Sequence, residues 1–290
     1  YFCGRLIHRF ADKKGLKRLW LILSVVANMA VLLVFIRSGH SNYDVTSIFT
    51  GKGAMLKLFP VWGAGVFTLH GISYCMDIYR KEIEPEKNFL LVSQYICFFP
   101  CFSCGPILRF SDMSEQLRKP VITSGKLAEG IKLMLIGFAE KLFLSDPMYE
   151  MWQHIRGVSA DSLSAACAWL GIIAFSFAFY YELRAYSHIA QGIGSMLGFE
   201  LPDNFDLPFM SAGFNELIKR FACTFYSWVR DYFYRPICRN KDSVCLWALI
   251  LSVLAGSVWY GYGRHTMLWA AFICVMLGIE YLLKNILAAV

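Results

Sequence analysis

Leu19–Ile36 reads LWLILSVVANMAVLLVFI, and Thr266–Leu283 reads TMLWAAFICVMLGIEYLL. The first run carries no charge, and the second carries only Glu280. A helix needs roughly 20 mostly apolar residues to cross the hydrocarbon core of a bilayer. Leu163–Tyr181 and Val244–Tyr262 are runs of the same kind. Leu58–Met76, Asn88–Ile107 and Leu127–Leu144 are weaker ones. A transmembrane barrel would instead show alternating segments of about 10 residues. Composition agrees: 57% of the residues are hydrophobic and 17% charged. The mean hydropathy of +0.47 is too high for an ordinary soluble domain. The expected fold is all-α, a polytopic transmembrane helical bundle forming a single membrane-embedded domain over residues 1–290. The chain opens on Tyr1 and stops just after an apolar run, which reads as a fragment trimmed at both ends.

The net charge of +7 comes from basic residues gathered at the ends of apolar runs. Anionic lipid head groups are the partner this suits, and nucleic acid is not. Arg5, Arg9, Lys13, Lys14, Lys17 and Arg18 precede the first run, with Asp12 the only acid among them. By the positive-inside rule this segment is cytoplasmic, in a multi-pass membrane protein. Counting every run as a crossing would then put Glu182–Ser243 outside, although it holds Arg184, Lys219, Arg220, Arg230, Arg235, Arg239 and Lys241. At least one weak run therefore fails to cross. Asn88–Ile107 is interrupted by Pro100, Gly105 and Pro106; Leu127–Leu144 contains Glu129, Lys132, Glu140 and Lys141. Broken backbone at membrane depth must be buried in protein or line a cavity, so re-entrant segments around an internal cavity are expected.

Ten cysteines are present, and most lie in apolar runs, where thiols act as small hydrophobes. Cys101-Phe-Ser-Cys104 is a CxxC, but no second pair or histidine stands at ligand spacing, so no metal site is expected. Phe214–Asn240, FNELIKRFACTFYSWVRDYFYRPICRN, interleaves seven charged basic and acidic positions with aromatics. It reads as one or two interfacial helices, starting near Asn215-Glu216 and ending at Pro236. The adjacent Arg230-Asp231 pair between Trp228 and Tyr232 is costly to bury without further partners.

That block resembles ExWRRWHxSLSxWxRDYxYxPLGGN of the membrane-bound O-acyltransferase family, nearest its bacterial branch that acetylates alginate and D-alanylates teichoic acid. Glu216, Arg220, Trp228, Arg230, Asp231, Tyr234 and Pro236 fall on its positions. Further stretches resemble the same family in the same order. They are Gly71-Ile-Ser-Tyr74 with Asp77 and Tyr79-Arg80, Asn88-Phe89 with Phe98-Phe99-Pro100, and Gly105–Phe110. Tyr186–Gly194, Leu201–Phe209 and Trp259-Tyr260-Gly261 complete the series. The resemblance implies tilted helices around a central tunnel lined by Asn204, Trp228, Arg230, Asp231, Tyr234 and Trp259. It implies no bound cofactor: an acyl thioester, such as acetyl-CoA or an acyl carrier, enters as the donor substrate. A tunnel histidine would take the proton of an acceptor hydroxyl, which then attacks the thioester. An extracytoplasmic acyltransferase partner would receive the product in such systems.

The family's two histidine positions hold Ala222 and Tyr260 here. An alanine has no titratable group, and a tyrosine hydroxyl, with an ordinary pKa of about 10, is a poor base near neutrality. The catalytic candidates are accordingly Tyr260, His265 and His188, with His70 behind them. Other departures are Glu140 where the family has Lys, His188 where it has Asp, and Arg184 in place of a small residue. The function implied is O-acyl transfer, with acetyl expected, from a cytoplasmic thioester to a hydroxyl of an envelope polysaccharide or carrier. The alternative is a catalytically inactive relative acting as a membrane scaffold or acyl-ligand binder. A transporter would show internal repeats, and none is visible.

Overall fold

The computed structural model describes residues 1–37, 64–102, 105–159, 161–238, 246–260 and 264–289. In chain order the helices are α1 (Phe2–Arg9), α2 (Lys14–Arg37), α3 (Ala64–Arg80), α4 (Phe89–Ile96), α5 (Phe110–Arg118), α6 (Ser124–Ala139) and α7 (Asp146–Arg156). They continue as α8 (Ala165–Met196), α9 (Phe214–Phe221), α10 (Cys223–Val229), α11 (Arg235–Ile237), α12 (Leu246–Tyr260) and α13 (Arg264–Ala289). No strand occurs among the described residues. Three helical stretches are long and apolar enough to cross a membrane: Lys14–Leu32, Ala165–Met196 and Thr266–Lys284. Each presents large apolar side chains outward, among them Val26, Ile172 and Val275. In a membrane protein those positions meet lipid, not water.

The weaker runs behave as their breakers dictate. Asn88 caps α4 by accepting the Leu90 N–H, and α4 stops at Ile96, eight residues on. Eight residues rise only about 12 Å, too short to cross. Pro100 then sits in a tight 3-10 turn, Phe99–Cys101. The described parts of the runs beginning at Leu58 and Val244 are α3 and the 15-residue α12; the ends of those runs lie outside the described residues, as does Cys104.

The chain folds as two compact units. Tyr1–Cys97, Ile107–Asp112 and Asn204–Val290 form the first, and Phe98–Pro106 with Met113–Asp203 the second. In the first, α1 and α2 pack on α3. Polar groups along α2 are satisfied within the protein: Asn28 Nδ2 donates to the Ser24 carbonyl at 2.8 Å, and Ser24 Oγ donates to Cys75 Sγ at 3.1 Å. Gly71 of α3 faces Asn28, where a Cβ would lie 2.8 Å from Asn28 Oδ1. The single acid of the last span is also used. Glu280 accepts the Asn215 N–H at 2.7 Å, at the start of α9, and the Lys284 ammonium at 2.7 Å. A carboxylate at a helix N-terminus meets unpaired N–H groups and the positive end of the helix dipole. Between α9 and α10 the backbone breaks at Ala222 (φ −152, ψ 72). Asn204 bridges the break: its carbonyl accepts the Cys223 N–H at 2.9 Å, and its Oδ1 accepts the Thr224 hydroxyl at 2.6 Å. The same Thr224 oxygen accepts the Ile107 N–H at 3.0 Å.

In the second unit, α6 and α8 pack so closely that their backbones touch. A Cβ on Gly130 would lie 2.6 Å from the Gly192 carbonyl oxygen, and one on Gly192 would lie 2.6 Å from that of Gly130. Gly137 repeats the contact seven residues on, with 2.7 Å to the Ala185 carbonyl. Small residues at such spacing let membrane helices approach where larger ones could not.

Two wide π-helical turns interrupt otherwise α-helical rods, Glu140–Ser145 between α6 and α7 and Arg230–Tyr234 between α10 and α11. Each ends two residues before a proline, Pro147 and Pro236. Proline lacks an N–H and its ring clashes with the carbonyl four residues back, here Phe143 and Tyr232. The turn before it relaxes into longer bonds: Asp146 N donates to the Lys141 carbonyl, and Arg235 N to that of Arg230. The extra residue re-aims neighbouring side chains, and such bulges recur at functional sites.

Two substitution sets check this packing. Gly130→Ala and Gly192→Ala should each lower the thermal midpoint of the purified protein, because the methyl meets backbone. Gly278→Ala, which meets open space, should leave it unchanged or raise it, since alanine exceeds glycine in helix propensity by about 1 kcal/mol. Thr224→Val removes the hydroxyl bond to Asn204 Oδ1 and strands the Ile107 N–H, and should cost about 1–3 kcal/mol in denaturant unfolding.

Candidate functional site

The π turn of the second unit assembles a buried polar node against α8. Glu140 is buried, and its two oxygens face two residues of α8. Glu140 Oε2 lies 2.8 Å from His188 Nδ1, and Oε1 lies 3.3 Å from Arg184 Nε. Arg184 also donates to the Tyr180 hydroxyl at 3.3 Å. One residue on, Lys141 pairs with Glu182 at 2.7 Å and with Asp146. Ser145, fully buried, donates to Glu182 Oε2 at 2.8 Å and lies 3.1 Å from the Ala178 carbonyl oxygen. Buried ions persist only when paired and hydrogen-bonded, and here each has at least one direct partner. The chemical consequence falls on His188. A carboxylate at Nδ1 favours the tautomer with the proton on that nitrogen, leaving Nε2 with its lone pair.

The three departures from the family pattern at Glu140, Arg184 and His188 thus form one contact set. Where the resemblance implies a Lys at 140 and an Asp at 188, this chain has an acid at 140 and an imidazole at 188. In this chain the acid at 140 meets both the imidazole at 188 and the guanidinium at 184.

A second node lies in the first unit, around Asp231 in the π turn Arg230–Tyr234. Arg230 Nε donates to Asp231 Oδ1 at 2.9 Å and its Nη2 to Oδ2 at 3.2 Å. Arg109 donates to Oδ2, Arg235 pairs with Oδ1 at 2.9 Å, and Arg80 donates to the Asp231 carbonyl at 2.7 Å. Burial alone would raise the Asp231 pKa. The hydrogen bonds from Arg230 and Arg109 outweigh it and hold the carboxyl below its ordinary range. Tyr232 carries the guanidiniums of Arg80 and Arg109 over its ring, 5.3 and 5.9 Å from the centroid, and donates its hydroxyl to Asp77 at 2.7 Å. Trp228 is buried beside it with ring centroids 5.2 Å apart, and its Nε1 donates to the Leu69 carbonyl at 3.3 Å. Glu216, at the start of α9, is held below its ordinary pKa by the Ala212 N–H and then by Arg220.

The residues expected from sequence distribute as follows. Trp228, Arg230, Asp231 and the half-buried Tyr234 share one continuous helical segment, with Asn204 anchoring its start. His188 belongs to the other node. His70 is fully buried, accepts the Leu108 N–H through Nε2 at 3.1 Å and stacks on Tyr95 at 4.9 Å, a structural placement. The side chains of Trp259, Tyr260 and His265 lie outside the described residues. Arg80 and Arg109, partners of Asp231, were missed as site residues by sequence reasoning, and so were Lys141, Ser145 and Glu182. The signals pointing to them are Pro147 and Pro236, each a helix-breaker just after a charged pair.

The chain compares with known proteins as follows. The model of the MBOAT, membrane-bound O-acyltransferase family, matches residues 21–289. The probable alginate O-acetylase AlgI of Pseudomonas aeruginosa is 29% identical over 287 residues, 97% of this chain and 55% of that protein. Its counterpart in Azotobacter vinelandii is 30% identical over 291 residues, 98% of this chain and 58% of that protein. A peptidoglycan O-acetyltransferase of Helicobacter pylori is 26% identical over 309 residues, 97% and 58% respectively. The chain spans about half the length of the curated relatives it matches. With a helical membrane fold, the expected motifs in order and a family match over nearly its whole length, the chain belongs to the membrane-bound O-acyltransferase family.

Proposed function

We propose that this protein transfers an acyl group, acetyl in the simplest case, from a thioester donor to a hydroxyl of a cell-envelope polysaccharide, with His188 as the general base. The observation behind this is the 2.8 Å contact between His188 Nδ1 and buried Glu140. In this reading Glu140 orients the ring and holds the proton on Nδ1. Nε2 takes the proton of the acceptor hydroxyl as its oxygen attacks the thioester carbonyl carbon. The carbon–sulfur bond breaks, and the imidazolium, steadied by the Glu140 carboxylate, returns the proton to the departing thiolate. The donor arrives on the side of the basic N-terminal segment, taken as cytoplasmic, and an extracytoplasmic acyltransferase is the partner for onward transfer. The relatives named as O-acetyltransferases of alginate and peptidoglycan support an envelope polymer as acceptor.

A second reading has its own observation. The contacts of Glu140 with His188 and Arg184 satisfy a buried acid, which a structural role alone would require, and Ala222 has no proton to move. In that reading the protein is an inactive scaffold or acyl-ligand binder.

The test is transfer of label from a radiolabelled acetyl thioester to envelope polysaccharide by the purified protein. His188→Gln keeps a donor for Glu140 but is no base, so it should fold with an unchanged melting midpoint and lose about 10²-fold or more in rate. Glu140→Gln should lose less, because the base remains and only the group that orients its ring is weakened. Undiminished transfer by His188→Gln rules out His188 as the base; thioester binding without any transfer by the unaltered protein establishes the scaffold reading.

A further inference from the structure

The Asp231 node holds more cations than its own carboxylates can use. Four guanidinium groups, those of Arg80, Arg109, Arg230 and Arg235, converge on one aspartate. Among the described residues, the other carboxylate in direct contact is Glu82, 3.8 Å from Arg80. Asp77 reaches the node through the Tyr232 hydroxyl. Each guanidinium offers five N–H donors, and a carboxylate accepts about four bonds in all, so most donors at the node are left over. Exposure is graded in an informative way. The Asp231 side chain is 5% exposed, while those of Arg109, Arg230 and Arg235 are 35%, 41% and 64% exposed. The acid is therefore the floor of the node, and the unused guanidinium edges face outward.

The cations are also held in place. Arg80 and Arg109 share the ring of Tyr232, and Arg230 grips both oxygens of Asp231. Like charges kept this close repel, and a multivalent anion relieves the repulsion at little cost in side-chain ordering. Arginine forks match the geometry of phosphate oxygens, which they bind in pairs.

We propose that the guanidinium cluster of Arg80, Arg109, Arg230 and Arg235 is a phosphate-binding site that takes a phosphate ester or diphosphate group. That chemistry has two sources. One is a soluble phosphorylated thioester, the donor of the reaction proposed above, and assigning that source rests on that reading. The other is the headgroup of an anionic phospholipid. Binding to the cluster does not depend on catalysis, so the site stands or falls separately.

The experiment titrates the full chain, purified in a maltoside detergent that carries no phosphate, with inorganic pyrophosphate and with coenzyme A by calorimetry. A parallel arm measures retention of added phosphatidylglycerol by native mass spectrometry. The expected result is saturable pyrophosphate binding that weakens as salt is raised. Arg235→Gln, at an exposed position, should weaken it about tenfold, one charge-assisted contact being worth about that factor. Arg80→Gln is a second variant away from the π turn and should weaken it too, whereas Lys132→Gln, an exposed residue of α6, should have no effect. Displacement of coenzyme A by pyrophosphate identifies the soluble source. Phosphatidylglycerol retention that is lost in Arg235→Gln, without pyrophosphate binding, identifies the lipid source. The proposal is overturned if neither probe binds, or if Arg235→Gln and Arg80→Gln bind both as tightly as the unaltered protein. Intact phosphate binding without acyl transfer would count against His188 as base and leave this site standing.

Discussion

An ionised side chain at membrane depth must find its partner inside the protein, because hydrocarbon offers none. That constraint organises both units of this chain. Glu140, Lys141, Glu182 and Arg184 settle their charges among themselves along α8 and the rod facing it. Glu280, in the last candidate span, does the same with Lys284 and the start of α9, and Asp231, outside the three spans, is likewise held by its arginines. Stripping a buried acid such as Glu182 of its partners leaves an uncompensated buried charge, with a typical cost of about 3–5 kcal/mol, whereas the intact set adds little net stability. These groups are therefore explained better by specificity and chemistry than by stability.

Proline supplies the geometry. An unbroken α-helix would spread the charges of residues 140–146 and 230–235 around its circumference. By forcing a wide turn upstream, Pro147 and Pro236 bring Glu140, Lys141 and Ser145 toward α8 and turn the carboxylate of Asp231 into its ring of guanidiniums. The glycine contacts at 130, 137 and 192 have the complementary role, bringing α6 and α8 close enough for side chains as short as Ser145 to reach across.

Much of this was legible in the sequence. Apolar runs of crossing length, with Glu280 their one charge, pointed to α2, α8 and α13, and the Pro100 region pointed to the break after α4, since both depend on local chemistry. The block from Glu216 to Pro236 gave the family. What stayed hidden is long-range pairing. Arg109 and Asp231 stand 122 residues apart, and Glu140 and His188 stand 48 apart, so no periodicity connects them. The departures at 140, 184 and 188 could be read singly as new charges, but only the fold shows that the three side chains meet. Ala222 likewise looked like a missing histidine in a helix, and it proves to be the break between two helices.

The account turns on the state of the His188 ring. Nitrogen-15 NMR of the histidine-labelled protein near neutral pH, assigned through His188→Gln, observes it directly. The account predicts that the neutral form of the ring carries its proton on Nδ1 and leaves Nε2 bare, with a loss of that tautomer preference in Glu140→Gln. A proton on Nε2 with Nδ1 bare would mean that Glu140 is the donor and His188 has no free lone pair for an acceptor hydroxyl, which would contradict it.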